Sequence, residues 1–89
     1  MTGFTHPEIG LTASYSTSLE QLSLEHRERC RKALLKFSQD PSNMGIQFGP
    51  IQGVGSSRLF KIRAAHDVRV IIAKEGNLHF AVLGGKRDQ

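Results

Sequence analysis

Three runs in the last third of the chain, "RLFKIRA", "VRVIIA" and "NLHFAVL", are separated only by "AHD" and "KEG". Runs that alternate apolar with polar residues are the pattern of strands. Separators this short close antiparallel hairpins. A three-stranded meander is therefore the element around which everything else must pack. Phe60, Ile62 and Ala64 share one face of the first run, and Val68, Val70 and Ile72 one face of the second. Leu78, Phe80 and Val82 share a face of the third. The register expected from these sets pairs Phe60–Ile72–Leu78, Ile62–Val70–Phe80 and Ala64–Val68–Val82, because a one-residue slip buries charge.

The upstream sequence supplies the cover for that sheet. "IGLTASY" places Ile9, Leu11 and Ala13 at alternate positions, a short strand pattern. In "TSLEQLS", Thr17 and Glu20 have the spacing of a capping box, which predicts a short helix running to about Leu22. Ser23 then caps a longer helix, "LEHRERCRKALLKFSQD", in which Cys30, Ala33, Leu34 and Phe37 form one apolar stripe. Glu25–Arg29 and Glu28–Lys32 are i, i+4 pairs on its wet face. Asp40-Pro41 ends it, since proline disfavours helical geometry in the residue before it. "PSNMGIQFGPIQGVGSS" reads as a long loop with a short strand near residues 51 to 54. The expected organisation is a tail over residues 1 to 8 and a single domain over residues 9 to 89. Its fold class is α+β: two N-terminal helices packed on one face of a twisted, mainly antiparallel sheet of three to five strands.

The other face of the sheet is cationic. The expected register aligns Arg63 with Arg69 and Ala81, and Lys61 with Ile71 and His79. Lys86 and Arg87 follow the last strand. The net charge is +4, and residues 51 to 89 hold seven Lys/Arg against three Asp/Glu, whereas residues 1 to 50 hold five of each. The excess lies in the sheet half, which suits a polyanionic partner such as nucleic acid, an acidic protein or a membrane surface. Lysine and arginine on a solvated strand face also guard sheet edges. Two arginines in one row repel unless an anion lies between them, and their planar donor forks suit phosphate.

Other chemistries find little support. The four histidines have no metal-ligand spacing, and the one cysteine, Cys30, lies on the core stripe. Neither a metal nor another cofactor is expected. "GVGSS" lacks the Gly-Lys-Ser/Thr ending of a phosphate loop, and the acidic residues are scattered. A single cysteine rules out an internal disulfide and suits a reducing compartment. No leader pattern and no apolar stretch of about 20 residues is present, so the expected setting is cytoplasmic, without a membrane.

The segments "LLKFSQDP" and "LFKIRAAHDVRVIIAKEGNLHFAVLGGKRDQ" resemble the RelE/ParE toxin superfamily of bacterial type II toxin–antitoxin systems. The likeness runs over residues 9 to 89, and its core is a basic strand, an arginine opening the next strand and a basic pair after the last. For the RelE branch the resemblance implies a ribosome-dependent, metal-independent mRNA endonuclease that inhibits translation. The ribose 2′-OH attacks the adjacent phosphate in the ribosomal A site and leaves a 2′,3′-cyclic phosphate. By position it implies Lys61 as base, Arg69 and Arg63 as phosphate holders, and Arg87 as the group that stabilises developing charge. Lys86 and His79 join the phosphate-binding set. It also implies a cognate antitoxin, acidic and partly disordered. The family usually carries a tyrosine or histidine a few residues beyond the basic pair. Here Gln89 ends the sequence, and the one tyrosine, Tyr15, lies near the first strand. Three readings stay open: a toxin that cuts message, a ParE-like gyrase-directed toxin or inactive module on the same fold, and a domain that only binds RNA.

Overall fold

The computed structural model describes residues 8–51 and 58–86. In chain order the elements are β1 (Glu8–Leu11), α1 (Ala13–Leu19), α2 (Leu24–Gln39), a 3-10 turn (Met44–Ile46), β2 (Gly49–Pro50), β3 (Leu59–Ala65), β4 (Val68–Glu75) and β5 (Leu78–Lys86). The strands form one sheet in the order β1-β5-β4-β3-β2, antiparallel except for the parallel pair β1–β5. Both helices cover the same face, α1 over β5 and α2 over β3 and β4. This is the expected α+β layering. The short strand expected around Ile9 and Leu11 forms as β1, and its parallel pairing with β5 at the sheet edge is what the sequence did not signal.

The longer helix follows its sequence signals. The Ser23 hydroxyl accepts the His26 backbone N–H, and Asp40 leaves helical geometry before Pro41. Cys30, Ala33, Leu34 and Phe37 are all buried. Glu28 pairs with Arg31 instead of Lys32, while the Glu25–Arg29 contact forms at 3.9 Å. The shorter helix departs from expectation. It starts at Ala13 with Thr12 as its cap, and Glu20 closes it instead of completing a capping box. The hydroxyls of "TASYSTS" account for this. Thr12 accepts the Tyr15 N–H and donates to the Ala81 carbonyl, Ser14 donates to the Val82 carbonyl, and Ser18 accepts the Gly84 N–H. Side-chain oxygens thus cap the helix and bind it to β5 at once. Gly84 permits the close approach: a Cβ there would lie 3.0 Å from Leu19 Cδ2 and 3.4 Å from Tyr15 Cε1. Tyr15 is buried at that contact, and burial, with a smaller contribution from Cys30, pushes its hydroxyl pKa up to about 12.

Registers decide which side chains face the helices. β3 and β4 pair as expected at Phe60–Ile72, Ile62–Val70 and Arg63–Arg69. A bulge between Arg63 and Ala65 then brings Ala65, not Ala64, opposite Val68. β5 is shifted by three residues from the expected alignment. Glu75 pairs with Leu78, Ala73 with Phe80 and Ile72 with Ala81. The turn imposes the shift. Gly76 takes φ 59 at the first central position of a two-residue loop, where a type II′ hairpin needs glycine. An odd shift exchanges the faces. Ala81 is fully buried under the helices, and Phe80 moves to the open face, where its ring covers Gly10. A second bulge, between Ile71 and Ile72, lets Leu83 and Gly84 rejoin the alternation one residue late.

Candidate nucleic-acid interface

On the open face, Ile51, Lys61, Arg69, Ile71, Leu83, Gly85 and Lys86 line a cleft of about 490 Å³. The sheet register makes this set. Lys61 lies opposite Ile71 across β3–β4, Ile71 opposite Leu83 across β4–β5, and Arg69 opposite Gly85. Ile71 and Leu83 form an apolar floor, and Gly85 places no side chain beside the Arg69 guanidinium. Three cations converge there, and no acidic side chain is among the described lining residues.

Arg69 is the most constrained of the three. Its Nη1 donates to the carbonyls of Ala65 at 2.9 Å, His66 at 3.2 Å and Val68 at 3.2 Å. These are the carbonyls of the β3–β4 turn, so the fold aims the guanidinium in advance. A positioned donor fork costs little further ordering when it meets an oxyanion. Lys61 projects from β3 as an exposed side chain, and Lys86 stands at the end of β5.

The other expected site residues separate. Arg63 aligns with Arg69 as predicted, yet it borders a different groove, with Arg29, Lys32, Lys36 and His66, on the α2 side of β3. The bulge that follows Arg63 coincides with this divergence, and the like-charge row is relieved by it. The expectation that His79 shares the cationic face is corrected. The β5 shift turns His79 to the helix side, with its ring 5.3 Å from that of Phe37 in an edge-on contact. Its Nδ1 is buried with no hydrogen-bond partner among the described residues, and burial followed by the charge of Lys74 lowers its pKa. The same shift moves Phe80, which the expected register set on the apolar face beside Ile62 and Val70, to the open face. Arg87 lies outside the described residues, as does the greater part of the strand expected near residues 51 to 54. The apolar floor was missed as a functional element, although Ile71 interrupting a cationic row was a visible signal of it.

Compared by sequence, the chain matches no family model and no curated protein. Compared by structure, it is similar to solved toxins. A chain of the Escherichia coli DinJ–YafQ toxin–antitoxin complex superposes with a TM-score of 0.73 at 13% identity, over 93% of this chain and 94% of that one. YafQ from E. coli strain BL21(DE3) gives 0.72 at 12% identity, over 91% and 93%. A chain of the RelB–RelE antitoxin–toxin complex from Methanococcus jannaschii gives 0.71 at 15% identity, over 89% and 91%. The fold is therefore the RelE-like toxin fold, present over nearly the whole chain.

Proposed function

We propose that this chain is the toxin of a type II toxin–antitoxin pair and an endoribonuclease that cuts message in the ribosomal A site. The observation that carries this reading is the convergence of Lys61, Arg69 and Lys86 over one cleft on the open face of a RelE-like fold. The three cations suit a phosphodiester, and the apolar floor suits the ribose and base edges beside it. In the reaction the 2′-oxygen bonds to phosphorus and its proton passes to a base, for which Lys61 is the candidate. The bond from phosphorus to the 5′-oxygen breaks, that oxygen takes up a proton, and a 2′,3′-cyclic phosphate remains. Arg69 holds the non-bridging oxygens and gains interaction energy as their charge grows. Arg87, next to Lys86 in sequence, is the candidate to stabilise the developing charge. Residues of the protein take the base and phosphate-holding roles, without a metal. Primer extension on a translated message tests this. New 5′ ends with wild type that vanish with Arg69→Ala support it. No new ends, or ends unchanged in the variant, overturn it.

A second reading has one observation in its favour. No histidine, tyrosine or carboxylate is among the described residues that line the cleft, so an acid for the leaving oxygen is missing there. That suits a module that binds without cutting, such as a gyrase-directed toxin. Inhibition of supercoiling without message cleavage would establish it.

Two of these structural neighbours were solved as toxin–antitoxin complexes, and we extend a protein partner of that kind to this chain. Leu11, Leu24 and Leu35 are 64%, 77% and 49% exposed along a groove between the helices and β1, and such leucines give a protein partner its apolar anchors. Among the described residues no helix is long and apolar enough to cross a membrane. The proposed site of action places the chain in the cytoplasm.

A further inference from the structure

A second cationic surface lies on the opposite side of β3 from the cleft. Arg29, Lys32, Lys36, Arg63 and His66 line a groove of about 460 Å³, walled by Gly45, Ile46, Ala64 and Ala65. Three of the cations form a stripe on α2 at i, i+3 and i+7. The stripe spans about 10.5 Å at 1.5 Å per residue, long enough to meet more than one phosphate of a strand. Glu28, paired with Arg31, also acts on Lys32, and Glu25 meets Arg29 at 3.9 Å with both side chains more than half exposed. Such a pair competes weakly with a phosphate.

The groove favours nucleic acid over an acidic protein. Protein interfaces rest on large apolar or aromatic anchors, whereas nucleic-acid interfaces are polar and strongly positive. The apolar wall here consists of small residues or of Ile46, which is 2% exposed. The exposed leucines lie instead along the groove between α1, α2 and β1.

We propose that this groove binds the sugar–phosphate backbone of double-helical RNA, so that the protein grips a folded RNA with its α2 side while its cleft holds a single strand. The choice of RNA over DNA rests on the proposed function. The backbone contact itself does not.

The probe is a fluorescent 2′-O-methylated RNA duplex, which cannot be cut by 2′-OH attack, with a DNA duplex of the same sequence beside it. Full-length wild type, Lys32→Gln/Lys36→Gln and Lys61→Gln/Lys86→Gln are titrated at several salt concentrations, and thermal melts confirm that each is folded. The expected result is at least tenfold weaker RNA-duplex binding by the α2 variant. Its slope of log affinity against log salt should fall by about two, one for each phosphate contact removed. The cleft variant should bind the duplex as wild type does. Unchanged affinity and slope in the α2 variant overturn the proposal. So does duplex binding lost only in the cleft variant, dependence on the groove for DNA but not RNA, or groove-dependent binding of polyglutamate in place of the duplex. Message cleavage is read in a separate assay, so its failure leaves the duplex result standing.

Discussion

Strand β4 serves two opposite chemistries with alternate residues. Val68, Val70 and Ile72 are fully buried against the helices, while Arg69 and Ile71, interleaved with them, front the cleft. The buried face is stabilised by removing apolar area from water, and it tolerates no loss of volume. The open face gathers like charges that gain when an anion enters. Stability and binding are thus divided by the parity of the residue number, and substitutions one position apart should act on different measurements.

The largest effect is expected from Ile72→Ala, on the buried parity. It should lose about 2–5 kcal/mol of unfolding free energy in a urea titration, a large share of the roughly 5–15 kcal/mol of a small domain. Arg69→Ala, on the open parity, should cut message cleavage by about 10²–10³-fold, the cost of losing one positioned donor. Arg69→Lys should restore the charge without the fork and recover only part of that loss. Lys61→Ala should keep unfolding free energy within about 0.5 kcal/mol of wild type while lowering cleavage. An equal loss of stability in the Lys61 and Ile72 variants would break the division.

Gly84→Ala tests the packing side on β5. The added methyl meets Leu19 at 3.0 Å and Cys30 Sγ at 3.5 Å, and should cost about 1–3 kcal/mol. The smallest effect concerns pH. Burial lowers the pKa of folded His79 below the value of about 6.5 of an unfolded chain, so the unfolded state binds more protons as acid is added. The contribution of His79 is at its full value above pH ~6.5 and is lost as pH falls through its lowered folded pKa. His79→Gln should flatten the melting temperature across that window, and a slope unchanged from wild type would remove His79 from the helix face.

The parity of β3 and β4 was legible because Phe60, Ile62, Val68, Val70 and Ile72 are strongly apolar and separated by charge. The parity of β5 was not. "NLHFAVL" places apolar residues on both parities, so the period of two carries little information, and Gly76 settles the register through its backbone conformation. The same ambiguity misplaced His79 and Phe80. The cations Lys61, Arg69 and Lys86 were readable from the basic strand pattern. The departure of Arg63 was not, since a bulge depends on how strand ends meet and leaves no periodic trace. The early start of α1 was hidden in hydroxyls whose hydrogen-bond partners lie 66 to 69 residues away.

Those distant partners have a consequence for the newly synthesised chain. β1 pairs only with β5, and Thr12, Ser14 and Ser18 all bond to residues 81 to 84. β1 and α1 therefore lack their strand partner until residues 81 to 84 have been made. Domains often begin to fold while translation continues, but here closure waits for β5. A product released from a damaged or interrupted message before β5 is made lacks the strand that anchors β1 and α1, and synthesis of β5 becomes the condition for acquiring this fold.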